Sequence, residues 1–187
     1  PMSARRQRQM CIRDSVYIEL LKNVIKENKV ETSIEEILNG NLIDIGGGFG
    51  AITDAYSIFK KSKNIGIGST NYLLDQYPVS FIANQYLKYR HQDQLLSPLY
   101  ENDLSAKLEE IIPNKQNFRI IQNNLNTKIS NLNIKFFFNS NSFQEMDKSQ
   151  IEEYADFIKR NKSEKAILAC FCYLDTVKEN NLSLIHI

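Results

Sequence analysis

The 187-residue chain has no tryptophan, two histidines, three cysteines and four prolines. No apolar run approaches the roughly 20 residues that cross a bilayer, so no membrane partner is expected. Cys170 and Cys172 stand two residues apart, and His91 is the single histidine away from the chain ends, so no zinc-ligand spacing can be assembled. Two cysteines at that spacing point the same way from a strand and read as reduced core thiols of a cytoplasmic protein. Charge of one sign is also missing. The formal net charge is +1, and setting aside Pro1–Ser15, with its four arginines and one aspartate, leaves −2. A near-neutral body gives no electrostatic case for nucleic acid or an anionic membrane as partner.

The two ends call for separate treatment. Met10-Cys11-Ile12-Arg13-Asp14-Ser15 and Leu182-Ser183-Leu184-Ile185-His186-Ile187 both resemble translated sequencing-adaptor read-through. Residues 1–15 and 182–187 are therefore expected to lie outside the fold, with a natural protein longer at both ends. The arginines of the head precede no apolar stretch of the kind a secretory leader needs. What remains suits one domain of ordinary size, with a helical segment over 16–41 followed by a longer segment over 42–181.

Val16–Asn28 carries Val16, Leu20, Leu21, Val24 and Ile25 at helical spacing. Ser33 with Glu36 reads as a capping box opening a short helix that Gly40 closes. Leu42–Ile45 is a brief apolar run, the first strand. Helical spacing returns over Phe49–Lys61, and Tyr72–Leu74 forms a strand ending at Asp75. Pro78–Tyr89 is a helix with its proline in the first turn, and Asp103–Ile112 is an exposed helix stopped by Pro113. Strands follow at Phe118–Ile121 and Ile134–Phe138, separated by a polar connection. Asp147 with Gln150 caps a helix whose stripe is Ile151, Tyr154, Ala155 and Ile158; Ala166–Tyr173 is the fifth strand, apolar on both faces. Strand and helix alternate, so the class is α/β with a largely parallel sheet.

The chemistry is carried by Asp44-Ile45-Gly46-Gly47-Gly48-Phe49-Gly50. A strand, a glycine turn and a helix make the nucleotide-binding corner of open α/β sheets. The helix presents unpaired N–H groups and its positive dipole end there. Gly46–Ala51 also fits a relaxed dinucleotide pattern, which keeps a nicotinamide-dependent oxidoreductase as a rival. Asp44, two residues before the first glycine, argues otherwise: a carboxylate there suits an ammonium and a sulfonium and repels a pyrophosphate. Asp75 can accept from ribose hydroxyls. The plain alternatives are that Asp44 caps the turn and that Asp75 is an exposed strand end.

These residues resemble a known family. Leu42–Gly50 resembles motif I of class I methyltransferases. Tyr72-Leu73-Leu74-Asp75-Gln76-Tyr77-Pro78 with Ala83–Lys88 is similar to the second-strand region of the sugar O-methyltransferases. Asn139-Ser140-Asn141-Ser142-Phe143-Gln144-Glu145-Met146, with the helix through Glu152, Glu153, Tyr154 and Phe157, is similar to that family's segment after strand four. The resemblance runs from Leu42 to Asp175. It implies a Rossmann-like seven-stranded sheet, here truncated after the fifth strand, with S-adenosylmethionine as cofactor and a sugar hydroxyl as acceptor. Gly46, Gly47, Gly48 and Gly50 would then cradle the cofactor, with Asp44 and Asp75 beside them. Asn124 would meet the adenine amino group and Asn139 would line the pocket. Gln76 and Tyr77 intrude where the family has Asp-Leu-Pro. Gln144 stands where related enzymes keep a basic histidine, so the base passes to Glu145, whose plain alternative is a carboxylate favoured by the dipole of the next helix. Phe143 and Met146 are expected as core wedges, and His91 and Tyr86 as an exposed residue and a packing residue. The partner is a small-molecule or glycan acceptor, with oligomeric state open. A third reading is a fragment that binds cofactor and does no chemistry.

Overall fold

The structure, a computed structural model, describes residues 16, 18–92, 94–96, 98–99, 115–140, 142–172 and 181–186. The elements run α1 (18–27), α2 (Ile34–Leu38), β1 (Asn41–Ile45), α3 (Ala51–Lys63), β2 (Thr70–Asp75), α4 (Val79–Arg90), β3 (Asn117–Gln122), β4 (Ile134–Ser140), α5 (Lys148–Asn161), β5 (Lys162–Cys172) and β6 (Asn181–His186). The helix expected over Asp103–Ile112 and the segment 1–15 lie outside the described residues.

One sheet holds all six strands in the order β3-β2-β1-β4-β5-β6. The first five are parallel, as the alternation predicts. The expected end of the sheet at the fifth strand is corrected: Asn181–His186 pairs antiparallel with β5, from Cys172 opposite Asn181 to Ile167 opposite His186. The physical reason is the open edge. A fifth strand left bare would present a row of unpaired N–H and C=O groups, and the segment 181–186 satisfies them whatever its origin.

Chain order decides which side chains meet. After β1 the chain moves outward to β2 and β3, then returns to place β4 on the other side of β1. Phe136, Phe137 and Phe138 of β4 are all fully buried, which requires cover on both faces. On one face Ile43, Leu74, Phe137 and Leu168 pack against Tyr154, Phe157 and Ile158 of α5. On the other, Leu42, Phe136 and Phe138 pack against α1, α2 and Tyr56 of α3, while Leu73 and Ile120 meet Ala83 and Leu87 of α4. Burying each such side chain contributes about 1.5–3 kcal/mol before entropy is counted.

The caps show which local signals hold. Asp147 and Gln150 make the full reciprocal box at the start of α5. At α2 only half forms: Ser33 accepts from the Glu36 N–H, and the Glu36 carboxylate takes the Thr32 hydroxyl instead. The stripe of α5 is also rotated from the expected one. Tyr154, Phe157, Ile158 and Asn161 are buried, whereas Ile151 and Ala155 are exposed. Spacing alone admits either neighbouring stripe, and the sheet selects the one carrying Phe157.

Candidate functional site

In an open parallel sheet, the crevice lies beyond the carboxyl ends of strands where chain order reverses. Here that place is between β1 and β4, with α3 and α4 on one face and α5 on the other. The glycine turn that follows β1 occupies it.

The turn is built by close approach. A Cβ on Gly46 would sit 2.2 Å from the Ser142 hydroxyl, and one on Gly47 would sit 2.7 Å from the Asp44 carboxyl. A larger residue at either place would force its neighbour to shift. Above Gly48 a Cβ would meet nothing within 4 Å among the described residues. The Gly46 N–H donates to the Leu74 carbonyl at 2.8 Å, and the Gly48 N–H donates to Asp75 Oδ2 at 2.8 Å. The other Asp75 oxygen accepts from the Gln76 N–H at 2.7 Å. Burial raises the Asp75 carboxyl above the usual range, and these two N–H groups oppose that rise.

Asp44 departs from its expected orientation. Strand alternation turns its side chain toward α3, beneath the turn, where it has no exposed surface. Oδ2 accepts from the Thr53 hydroxyl at 3.1 Å, and Oδ1 has no hydrogen-bond partner among the described residues. Burial pushes its pKa up to about 7; the Thr53 hydrogen bond opposes this, and the nearby Asp75 charge adds to it. The carboxyl therefore acts on the turn from below.

Asn139 is corrected more plainly. It is fully buried, donating to the Ile45 carbonyl at 2.9 Å and to the Ser142 hydroxyl, and accepting from the Phe143 N–H at 3.3 Å. Those bonds tie the end of β1 to the segment after β4, so Asn139 clamps the crevice floor instead of lining it. Asn124 lies exposed in the 3₁₀ turn Asn123–Leu125 that follows β3. Glu145 is exposed in the 3₁₀ turn Ser142–Glu145 after β4. Phe143 and Met146 pack partly buried against the α5-side core, as wedges should. The turn and Asp75 thus converge, with Asp44 beneath them; Asn124 and Glu145 stand at the same edge on separate strand ends.

Sequence reading missed several residues around the turn. Tyr154 donates to Asn123 Oδ1 at 2.6 Å, and its hydroxyl is held in the neutral form by burial and the charges of Asp75 and Glu153. His91, expected exposed, keeps only 13% of its side chain accessible. Its Nε2 lies 2.7 Å from Asp54 Oδ1, and its ring stacks on Phe118. Tyr86 donates to Asp54 Oδ2 at 2.8 Å and Arg90 Nε donates to it at 3.0 Å. Burial alone would raise the Asp54 carboxyl, yet the hydrogen bonds from His91 and Tyr86 and the Arg90 charge bring it below the usual range. The one available signal was Asp54 on an otherwise inward helical face.

No family model matches the sequence, and no curated protein matches it. Solved structures do. The mitomycin 7-O-methyltransferase MmcR is 16% identical with a TM-score of 0.49, over 75% of this chain and 33% of its own. The pyocyanin biosynthetic protein PhzM is 12% identical with a TM-score of 0.50, over 76% of this chain and 34% of its own. A SAM-dependent methyltransferase from Aquifex aeolicus is 16% identical with a TM-score of 0.48, over 76% of this chain and 61% of its own. The chain thus spans about a third of the first two. At these identities the likeness speaks for the fold: this chain has the α/β Rossmann-like architecture, with a parallel five-strand core, that it shares with PhzM.

Proposed function

We propose that this chain is the cofactor-binding part of an S-adenosylmethionine-dependent O-methyltransferase whose acceptor is a sugar hydroxyl. The observation that carries the reading is the Gly48 N–H donated to Asp75, with a second carboxyl, Asp44, directly beneath the same turn. A pyrophosphate-binding turn offers such N–H groups to its ligand. Here a carboxylate takes one of them, and a second acid adds its field, which favours a cation and opposes a diphosphate.

The residues present fit the cofactor. Among the described residues, Asp44 Oδ1 is buried without a partner and nothing covers the space above Gly48. Gly46, Gly47, Gly48 and Gly50 would follow the cofactor's amino-acid arm, with Asp44 acting on its positive charge across the turn. Each Asp75 oxygen accepts one N–H, and a carboxylate has about four acceptor positions, so capacity remains for ribose hydroxyls. Asn124 would accept from the adenine amino group. Bound S-adenosylmethionine supplies a methyl group on a positively charged sulfur. The chain's part is to hold the acceptor oxygen in line, exclude water and receive a proton. We assign that proton to the Glu145 carboxylate, at the strand edge beyond β4. The sugar acceptor rests on the resemblance of Tyr72–Pro78 with Ala83–Lys88 and of Asn139–Met146.

Titration calorimetry with S-adenosylhomocysteine and with NADH tests the cofactor. Binding of the first and not the second is expected; NADH binding without S-adenosylhomocysteine binding rejects the reading. A panel of monosaccharides and glycans offered with methyl-labelled cofactor tests the acceptor, and labelling confined to non-sugar hydroxyls would exclude sugars.

A further inference from the structure

Gly46-Gly47-Gly48-Phe49-Gly50 has a single side chain, that of Phe49. Gly46, Gly48 and Gly50 all lie at positive φ. A turn of this kind loses much backbone freedom on ordering and has little side-chain packing to offset the loss. Phe49 is 47% exposed, and its ring meets the Tyr86 ring edge-on, with centroids 5.6 Å apart and planes at 89°. The Tyr86 hydroxyl is in turn fixed on the fully buried Asp54, which also holds Arg90 and His91.

The contacts close a circuit. The Asp54 N–H donates to the Gly50 carbonyl at 2.9 Å, so the residue that anchors Tyr86 is also bonded to the last glycine of the turn. Gly50, Asp54, Tyr86 and Phe49 form one ring of contacts joining α3 to α4. The bond to Asp54 fixes the ring that Phe49 meets, so the anchor reaches the turn through that one aromatic contact. We infer that Tyr86 is a positioning residue for the glycine turn, holding Phe49, and with it the turn, in the form that receives the cofactor's amino-acid arm. The identity of the ligand rests on the function proposed above; the hold on the turn does not.

The test uses Tyr86→Phe, which keeps the ring and removes the anchor, and Tyr86→Leu, which removes both, in the full chain. Amide hydrogen exchange of Gly48 and Phe49 is read without ligand, with β4 amides as the internal reference. Affinities for S-adenosylhomocysteine and for adenosine, which lacks the amino-acid arm, are read beside it. Exchange at Gly48 and Phe49 is expected to quicken about five- to tenfold in Tyr86→Phe, and more in Tyr86→Leu. Affinity for S-adenosylhomocysteine should fall by a similar factor and that for adenosine should stay within about twofold. Unchanged exchange at the turn, or equal quickening there and in β4, overturns the positioning role. Faster turn exchange in a protein that binds no S-adenosylhomocysteine upholds that role and rejects the cofactor.

Discussion

Asp44 and Thr53 form a hydrogen-bonded pair beneath the glycine turn: the hydroxyl donates to Oδ2 at 3.1 Å, and Oδ1 has no partner among the described residues. An unpaired polar atom in that position is costly. It makes the acid the most informative residue to alter.

Asp44→Asn should stabilise the chain above neutral pH. The folded state keeps a proton on Asp44 up to about pH 7, whereas the unfolded chain releases it near the ordinary aspartate value of 3.8. The folded state thus binds more protons across that interval, and stability falls as pH rises from about 4 to about 7. The asparagine variant lacks this loss, so its advantage is absent at pH 4 and reaches roughly 4 kcal/mol at pH 8. Urea midpoints across that range check it; an equal effect at both pH values would contradict the burial argument.

The same titration should appear in ligand binding. A cation above the turn favours the ionised form of Asp44, so S-adenosylmethionine should bind up to about tenfold more tightly at pH 8 than at pH 6. Binding should release a fraction of a proton near pH 7, seen as a buffer-dependent heat in calorimetry. Asp44→Asn should bind weakly at both pH values, without that dependence.

Gly47→Ala and Gly48→Ala should separate packing from access. The first places a methyl 2.7 Å from the Asp44 carboxyl and should cost roughly 1–3 kcal/mol of stability. The second meets no atom of the described residues but holds alanine at φ 58°, at a cost of about 1–2 kcal/mol, and puts its methyl into the space above the turn. Loss of S-adenosylhomocysteine affinity should therefore exceed loss of stability only in Gly48→Ala. Thermal melts paired with titrations would show it.

Lys60 gives the opposite pH sign. It is fully buried, donating to the Gly40 carbonyl, the Ser69 hydroxyl and the Asn71 side-chain oxygen, and burial lowers its pKa to about 7. Above pH 7 the unfolded chain holds a proton that the folded chain has lost. Stability should accordingly rise by up to about 4 kcal/mol toward pH 10. Lys60→Met, though less stable for its three unsatisfied acceptors, should have a flat profile there in urea titrations.

Glu145→Gln tests the base. Methyl transfer should fall about a hundredfold or more while S-adenosylhomocysteine affinity stays within about twofold. Turnover close to the parent rate would remove Glu145 from catalysis.

Sequence alone determined the parts that depend on near neighbours. Residues 42–50 had to be a strand, a glycine turn and the approach to a helix; Asp147 and Gln150 had to cap α5; and five strands alternating with helices had to make a parallel sheet. Each follows from spacing and capping chemistry within a few residues. The tertiary structure decided what lies far apart in the chain. Asp44 went beneath the turn because α3 closes that face of β1. Asn139 became a clamp because β4 returns beside β1, bringing it to Ile45 from 94 residues away. His91 left the surface because Asp54, 37 residues earlier, offered it a buried carboxylate. Residues 181–186 became a strand because β5 had an edge to fill. Such partners are chosen by how layers stack, and local patterns do not record that.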